Sequence, residues 1–153
     1  MSRPRTVKRI IFQVHDTPNR VAASFGLGIF IAFFPLLGIH IAMALALSVL
    51  LRLNRVVLLV GAFVNNPWTI APMYTAGTLL GCALLGVSPA SLADVEWSLT
   101  GLELLHSVRA GLGPLLLPFV VGNLLLGTVG GVGSFAVVRA VLLRRAAAAP
   151  RAT

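Results

Sequence analysis

The sequence predicts an all-α integral membrane protein, built from transmembrane helices and proline-broken re-entrant half-helices. Of its 153 residues 58% are hydrophobic and 10% are charged, whereas soluble domains carry roughly 25% charged residues. The apolar residues form three blocks, 21–51, 56–87 and 110–138, which contain no Asp, Glu, Lys or Arg. A soluble domain of this size cannot bury that much apolar chain, so we expect the bilayer to be its solvent.

The charges lie mostly outside the blocks. The net charge is +8, and most basic residues precede block one or follow block three. Basic chains often bind nucleic acid, but this distribution orients membrane proteins and contacts anionic headgroups, so we expect a bilayer partner and no nucleic acid. The predicted organisation is a basic amphipathic interfacial segment at 1–20, a helical membrane domain at 21–140 and a basic tail at 141–153. Both termini are expected in the cytoplasm.

Block one is too long for one straight span. Thr17 and Pro18 before it suit a helix N-cap and first helical position. Its 31 residues amount to roughly 46 Å of helix, more than one crossing of a bilayer core and less than two. Pro35 and Gly38 interrupt it, because proline removes a helical hydrogen bond and glycine permits a tight turn. We predict a re-entrant hairpin of two half-helices, with a tilted, kinked span as the alternative.

Block two contains a second break, Asn65 to Thr69. Asn66 is predicted to be an N-cap and Pro67 the first residue of the next helix. A glycine and a phenylalanine two residues later precede each break, beginning at Gly28 and at Gly61. Such faint duplication of broken helices is typical of many membrane transport proteins.

Residues 88–109 are the polar interlude, and they predict an amphipathic loop helix on the outer face. A capping box at 91–94 would begin it, and Trp97 would lie at headgroup level. Block three can cross once with tilt, with its beginning bent by Pro114 and Pro118. Two small-xxx-small pairs indicate close helix packing, within one chain or in a homo-oligomer: Gly77 with Gly81, and Gly127 with Gly131.

Two topologies fit these lengths. In the first, block one turns back and blocks two and three cross, which places Arg52 and Arg55 in the cytoplasm. In the second, block one crosses, the two arginines lie outside, and block two forms the hairpin. The positive-inside tendency favours the first.

The candidate ligand or pathway residues lie at the two breaks. Polar groups inside an apolar block are costly unless paired, and they are functional suspects in a membrane. A helix N-terminus at membrane depth would present free amides to an anionic headgroup or ion. Alternatively, the asparagines pair with backbone groups that the break exposes. The candidates are Asn65, Asn66, Pro67, Thr69, Pro35, Gly38 and His40.

His40 has two interpretations, since imidazole can relay protons near neutral pH or lie neutral in a hydrogen bond. Arg52, Asn54 and Arg55 separate two apolar blocks. They would anchor the chain at the interface or contact lipid phosphates. No catalytic motif is evident and every carboxylate lies outside the apolar blocks. We therefore expect no enzyme activity, no metal and no cofactor.

Several segments resemble the bacterial membrane family called domain of unknown function 2062. They are Arg20 to Phe30, Pro35 to Gly38, Leu51 to Asn54 and Asn65 to Tyr74 with Gly77. The resemblance covers roughly residues 8–140. It implies a small, all-helical protein of the bacterial inner membrane and no defined activity. Some members of the family are joined to glycosyltransferase-like domains, which points to lipid-linked sugar metabolism.

Two functions remain open at this point. The first is transport-like or lipid-handling activity through the broken helices, in a homo-oligomer, because so small a chain has few helices with which to enclose a pathway. The second is a non-catalytic adaptor or scaffold for a cytoplasmic or lipid-linked-sugar enzyme, motivated by the basic termini. The sequence identifies no protein partner.

Overall fold

The computed structural model describes residues 16–34, 39–92 and 101–148. Within these ranges the chain forms helices and no strands. The predictions for residues 1–15, for Pro35 and Gly38, for the polar residues 93–100 with Trp97, and for the tail beyond 148 lie outside the described residues. The elements are α1 (Pro18–Ala32), α2 (His40–Leu50), α3 (Arg55–Ala62), α4 (Ile70–Leu85), a short 3-10 helix (Pro89–Leu92) and α5 (Gly101–Ala148).

Block one forms two separate helices, α1 and α2. The Thr17 side chain accepts a hydrogen bond from the backbone of Arg20, and Pro18 begins α1. The helix ends at Ala32, just before the predicted break. At the end of α2, Leu53 N donates to Ser48 O at 2.8 Å. This bond closes a Schellman motif, the common way to pair the last carbonyls of a helix.

The chain turns back on itself within block one. Asn54 N, just after α2, donates to Ser24 Oγ in the first half of α1 at 2.9 Å. Ala44, in the first half of α2, packs in one cluster with Ile31 near the end of α1, so α1 and α2 run antiparallel. The next helix, α3, then runs parallel to α1. Gly61 of α3 contacts Gly28 of α1, so the two glycines of the apparent duplication meet. Beyond α3, the side chain of Asn65 reaches Ala32 O at the end of α1.

The long helix α5 contacts both α1 and α4. Its C-terminal half runs antiparallel to α1, with Gly131 against Gly26. Its N-terminal half runs antiparallel to α4, where Gly122 contacts Gly77 and Gly81. The glycine pairs noted in the sequence therefore pack within the chain, because a glycine lets two backbones approach closely.

The structure describes only the two ends of the polar interlude, so the loop helix over 88–109 stays a prediction. From Gly101 onwards the chain belongs to α5, which runs without interruption to Ala148, 48 residues or about 72 Å. The helix also passes through Pro114 and Pro118 and continues into the predicted tail. Packing explains part of this continuity, since Pro118 is fully buried and the backbone of Gly81 lies against it. Neighbouring helices commonly stabilise proline within a helix in this way.

The buried core is small and the outer surface is apolar. Among the described residues one buried cluster consists of Ile31, Ala44, Leu58 and Ala62, contributed by α1, α2 and α3. Large hydrophobic side chains are exposed on every helix from α2 to α5. Among the described residues one helical segment, Ala110–Ala148, is long and apolar enough to cross a membrane, and α2 and α4 are apolar but shorter.

Candidate functional site

The second break is held by a reciprocal pair of hydrogen bonds. Asn66 Oδ1 accepts from Thr69 N at 3.1 Å, and Thr69 Oγ1 accepts from Asn66 N at 3.0 Å. This is the arrangement of a capping box, with threonine in the position usually taken by glutamate. Asn66 therefore caps a turn, as predicted. The regular helix, however, begins at Ile70 rather than at Pro67, so the predicted helix start is one turn too early.

Asn65 links the end of α1 to α4 through hydrogen bonds. Its side chain is 7% exposed, and its Nδ2 donates to Ala32 O at 2.9 Å and to Tyr74 Oη at 3.1 Å. The tyrosine hydroxyl in turn donates to Phe34 O at 3.2 Å. Ala32 is the last residue of α1 and Phe34 lies two residues beyond it, where the end of a helix leaves acceptors unpaired. Asn65 and Tyr74 thus pair with backbone groups that the first break exposes.

One atom of Asn65 is not accounted for by this role. Its Oδ1 is buried and has no hydrogen-bond partner within the described residues. Asn123 of α5 shows the same pattern. It is fully buried, its Nδ2 donates to Phe119 O at 2.8 Å, and its Oδ1 has no partner among the residues that the structure describes. Such atoms are exceptional, because nearly all buried polar groups in proteins are paired.

The two asparagines flank one aromatic side chain. Tyr74 bonds Asn65 through its hydroxyl, and its ring meets Phe119 edge to face with centroids 5.3 Å apart. Asn123 lies one turn beyond Phe119 and covers Gly77, which lies one turn beyond Tyr74. Sequence reasoning missed Asn123 and gave Tyr74 no role. A usable signal was present, since Asn123 is the only carboxamide in block three.

The other break candidates take little part in this network. Pro67 is exposed, and the neighbouring Trp68 is 90% exposed. His40 begins α2 and is half-buried. Its Nδ1 has no hydrogen-bond partner in the described ranges. The structure therefore brings Asn65, Asn66 and Thr69 together at one break and shows no hydrogen bond from them to His40.

A second polar cluster lies at the start of α1. Asp16 pairs with Arg20 at 3.2 Å and accepts from Asn54 Nδ2 at 3.1 Å. Asn54 Oδ1 accepts from Val57 N at 3.0 Å, so Asn54 is the N-cap of α3. The Arg20 guanidinium also donates to Arg52 O. The side chains of this second cluster therefore pair with one another, whereas Asn65 and Asn123 each have a side-chain oxygen with no partner among the described residues.

Four arginines converge on this end of the helix assembly. Arg20 contacts Arg52, Arg55 begins α3 immediately afterwards, and Arg139 Nε donates to Asn19 Oδ1 at 2.8 Å. All four side chains are exposed. Within the described residues Asp16 is the one carboxylate that forms an ion pair with them. We call Arg20, Arg52, Arg55 and Arg139 the arginine-rich end.

The backbone at Arg52 is strained. Its φ is +51°, in the left-handed region where most side chains are disfavoured. Gly86 occupies the corresponding position at the end of α4, with φ +66° and the same closing bond, from Val87 N to Cys82 O at 3.0 Å. The ends of α2 and α4 thus share the Schellman motif, but only α4 has glycine, the residue that this motif favours, at the left-handed position.

Comparison with known proteins identifies the family. The family model described as an uncharacterized protein conserved in bacteria, DUF2062, matches residues 4–149. No curated protein and no solved structure matches the chain. Because the family model covers nearly the whole chain, the predicted resemblance is confirmed, and the protein belongs to the DUF2062 family.

Proposed function

We propose that this chain is a multi-pass protein of the bacterial inner membrane that handles lipids, binding the anionic headgroups of bilayer lipids at its arginine-rich end. The observation that carries this function is the convergence of four exposed arginines on one end of a helix assembly with apolar sides. Guanidinium groups suit phosphate because their planar fork of donors matches its oxygens. We assign no catalytic step to the chain.

The helix lengths support the first of the two topologies. With 15 and 11 residues, α1 and α2 measure about 22 and 16 Å, too short to cross a bilayer core of ~30 Å. They fit a re-entrant hairpin. Following this hairpin, α3 and α4 together form a broken crossing, and α5 returns. Arg52, Arg55 and Arg139 then lie on the cytoplasmic side with both termini, as the positive-inside tendency favours.

The strain at Arg52 also supports a role beyond folding. A left-handed arginine costs about 1 kcal/mol relative to glycine. Residues held in such conformations are concentrated at functional sites. At the other end of the molecule Gly86 avoids this cost. This chain thus has an arginine at a position where glycine would suit the backbone better.

Lipid binding in nanodiscs tests the headgroup function. We expect the purified protein to enrich phosphatidylglycerol over phosphatidylcholine around itself, and Arg52→Gln with Arg55→Gln to remove most of this preference, since each interfacial arginine contributes about 1 kcal/mol. Arg144→Gln with Arg145→Gln removes the same charge from the end of α5 and serves as the matched control. An equal loss in both double variants, or no loss in the first, would contradict headgroup binding at the arginine-rich end.

The unpartnered oxygens of Asn65 and Asn123 favour a second candidate, transport of a small ion. Unpaired acceptors at membrane depth are expensive, and broken helices often provide such groups for ions. Proteoliposome flux measurements test it. We expect Asn65→Ala with Asn123→Ala to abolish flux and Thr78→Ala, on the same helix as Tyr74, to preserve it. Flux that is absent in the parent, or unchanged in the double variant, counts against transport.

Self-association also remains a proposal. The glycine pairs that motivated a homo-oligomer make their contacts inside one chain. A second copy would therefore bind through the exposed hydrophobic side chains of the outer surface. Native mass spectrometry of the protein released from nanodiscs reports the number of copies directly.

A further inference from the structure

An apolar groove with a volume of about 310 Å³ runs between α1 and α5. Its floor is the contact between Gly26 and Gly131, where a Cβ on Gly26 would lie 2.6 Å from Gly131 O. Phe30 and Phe135 are among the larger side chains that form its walls. The groove therefore exists because two glycines bring the backbones together while larger neighbours stand on both sides.

The positively charged side chain of Arg139 lies beyond one end of the groove. Phe135 lines it, and Arg139 lies one turn further along the same face of α5. On α1, Ala23 lines it and Asn19 lies one turn earlier. Arg139 Nε donates to Asn19 Oδ1 at 2.8 Å, and arginine carries five donors in all, none of the others being bonded within residues 16–34, 39–92 and 101–148.

We propose that this groove holds one acyl chain of an anionic phospholipid whose phosphate binds Arg139. This inference rests on the proposed headgroup function and assigns it a specific site. The lining is hydrocarbon apart from Thr128, whose hydroxyl already donates to Leu124 O at 2.7 Å. Nothing inside the groove therefore requires a polar ligand, whereas the cationic end favours a negative headgroup.

The shape and lining of the groove suit a lipid chain. From Ala23 to Phe30 it extends for about 10 Å along α1, and its walls are almost entirely apolar. An acyl chain needs no hydrogen-bond partner there, and its headgroup would lie at the end of the groove near Arg139. The test below distinguishes this occupant from a second copy of the chain.

The test is native mass spectrometry of protein released from nanodiscs with equal phosphatidylglycerol and phosphatidylcholine. We expect one retained lipid per chain, with phosphatidylglycerol favoured about fivefold. Thr128→Phe should fill the groove and reduce retention about tenfold, by displacing part of the acyl chain. Ala136→Phe adds the same ring at an exposed position of α5 outside the groove and should retain the lipid.

Arg139→Gln separates the headgroup from the chain. We expect this variant to retain lipid but to lose the preference for phosphatidylglycerol, because the charge is gone and the groove is intact. Ala23→Phe narrows the groove from the α1 side. It provides a second variant should Thr128→Phe fail to fold by circular dichroism.

Three results would overturn the groove assignment. They are equal retention by the parent and by both groove-filling variants, no preference for phosphatidylglycerol in the parent, and a dimer without lipid. If both groove-filling variants retain the lipid while Arg52→Gln with Arg55→Gln loses phosphatidylglycerol enrichment, the groove assignment is refuted and the headgroup function is supported. If the double variant keeps its phosphatidylglycerol enrichment while Thr128→Phe loses its retained lipid, the groove is supported and headgroup binding by Arg52 and Arg55 is refuted.

Discussion

The two halves of α5 make similar glycine contacts but leave different surfaces beside them. The C-terminal half meets α1 at Gly131, next to an apolar groove that ends at Arg139. The N-terminal half meets α4 at Gly122, and there the side chain of Asn123 is buried against Gly77. Glycine sets how closely the helices approach in both halves, whereas neighbouring side chains decide whether the contact is open or filled. We therefore propose lipid binding beside the C-terminal half of α5, which carries Arg139.

The largest expected effect comes from adding one methyl group at the contact between α4 and the N-terminal half of α5. A Cβ at Gly122 would collide with the backbone of Gly77 and Gly81, and backbone cannot move aside as a flexible side chain can. We expect Gly122→Ala to lower the free energy of unfolding by about 2–3 kcal/mol. Thermal or denaturant unfolding in detergent micelles measures it.

Gly133→Ala is the matched control for that change. Gly133 lies in the same helix, and a Cβ there would meet nothing within 4 Å. We expect it to raise stability by about 0.5–1 kcal/mol, since alanine favours helix over glycine. Equal effects of the two substitutions would show that the α4–α5 contact is not as close as described.

The next effect contrasts the two buried carboxamides. Asn65→Leu removes the donor that pairs with Ala32 O and Tyr74 Oη, so we expect a loss of about 2 kcal/mol in unfolding free energy. Asn123→Leu removes a bond within its own helix and an unpartnered oxygen. We expect it to change stability by less than about 1 kcal/mol. The same unfolding titration measures both, and a larger loss for Asn123→Leu would reverse the roles assigned to the two asparagines.

The smallest expected effect comes from substituting Arg52 and Gly86, the two residues with positive φ at the ends of α2 and α4. We expect Arg52→Gly to stabilise the fold by about 1 kcal/mol while weakening binding of phosphatidylglycerol, and Gly86→Arg to destabilise it by a similar amount. Unfolding titrations and lipid retention, measured on the same preparations, check both effects. Destabilisation by Arg52→Gly would mean that the arginine serves the fold rather than a ligand.

Local sequence signals predicted the breaks better than the contacts between helices. Thr17, Pro18 and Asn66 act through neighbours within three residues, so their capping roles can be inferred from sequence alone. Asn123 and Tyr74 acquire their roles from partners on other helices. Those partners lie at least nine residues away or on another helix altogether, and a single sequence does not reveal such pairings.

Packing also overrode one strong local signal. Pro114 and Pro118 usually mark a helix boundary, yet α5 continues through both. The close contact of Pro118 with Gly81 could not be inferred from either residue alone. The arginine-rich end likewise depends on tertiary structure, because Arg139 reaches Asn19, the neighbour of Arg20, only when α1 folds against the C-terminal half of α5.

Cysteine accessibility in cells tests most directly whether block one turns back within the membrane. In a Cys82→Ser background, single cysteines would replace Arg55, Ser88 and Ala146, all of which are exposed. We expect a membrane-impermeant thiol reagent to label the position-88 cysteine in intact spheroplasts, and the cysteines at 55 and 146 only after permeabilisation. Labelling of the cysteines at 55 and 146 from opposite sides, or of those at 55 and 88 from the same side, would contradict a returning block one and a crossing block two.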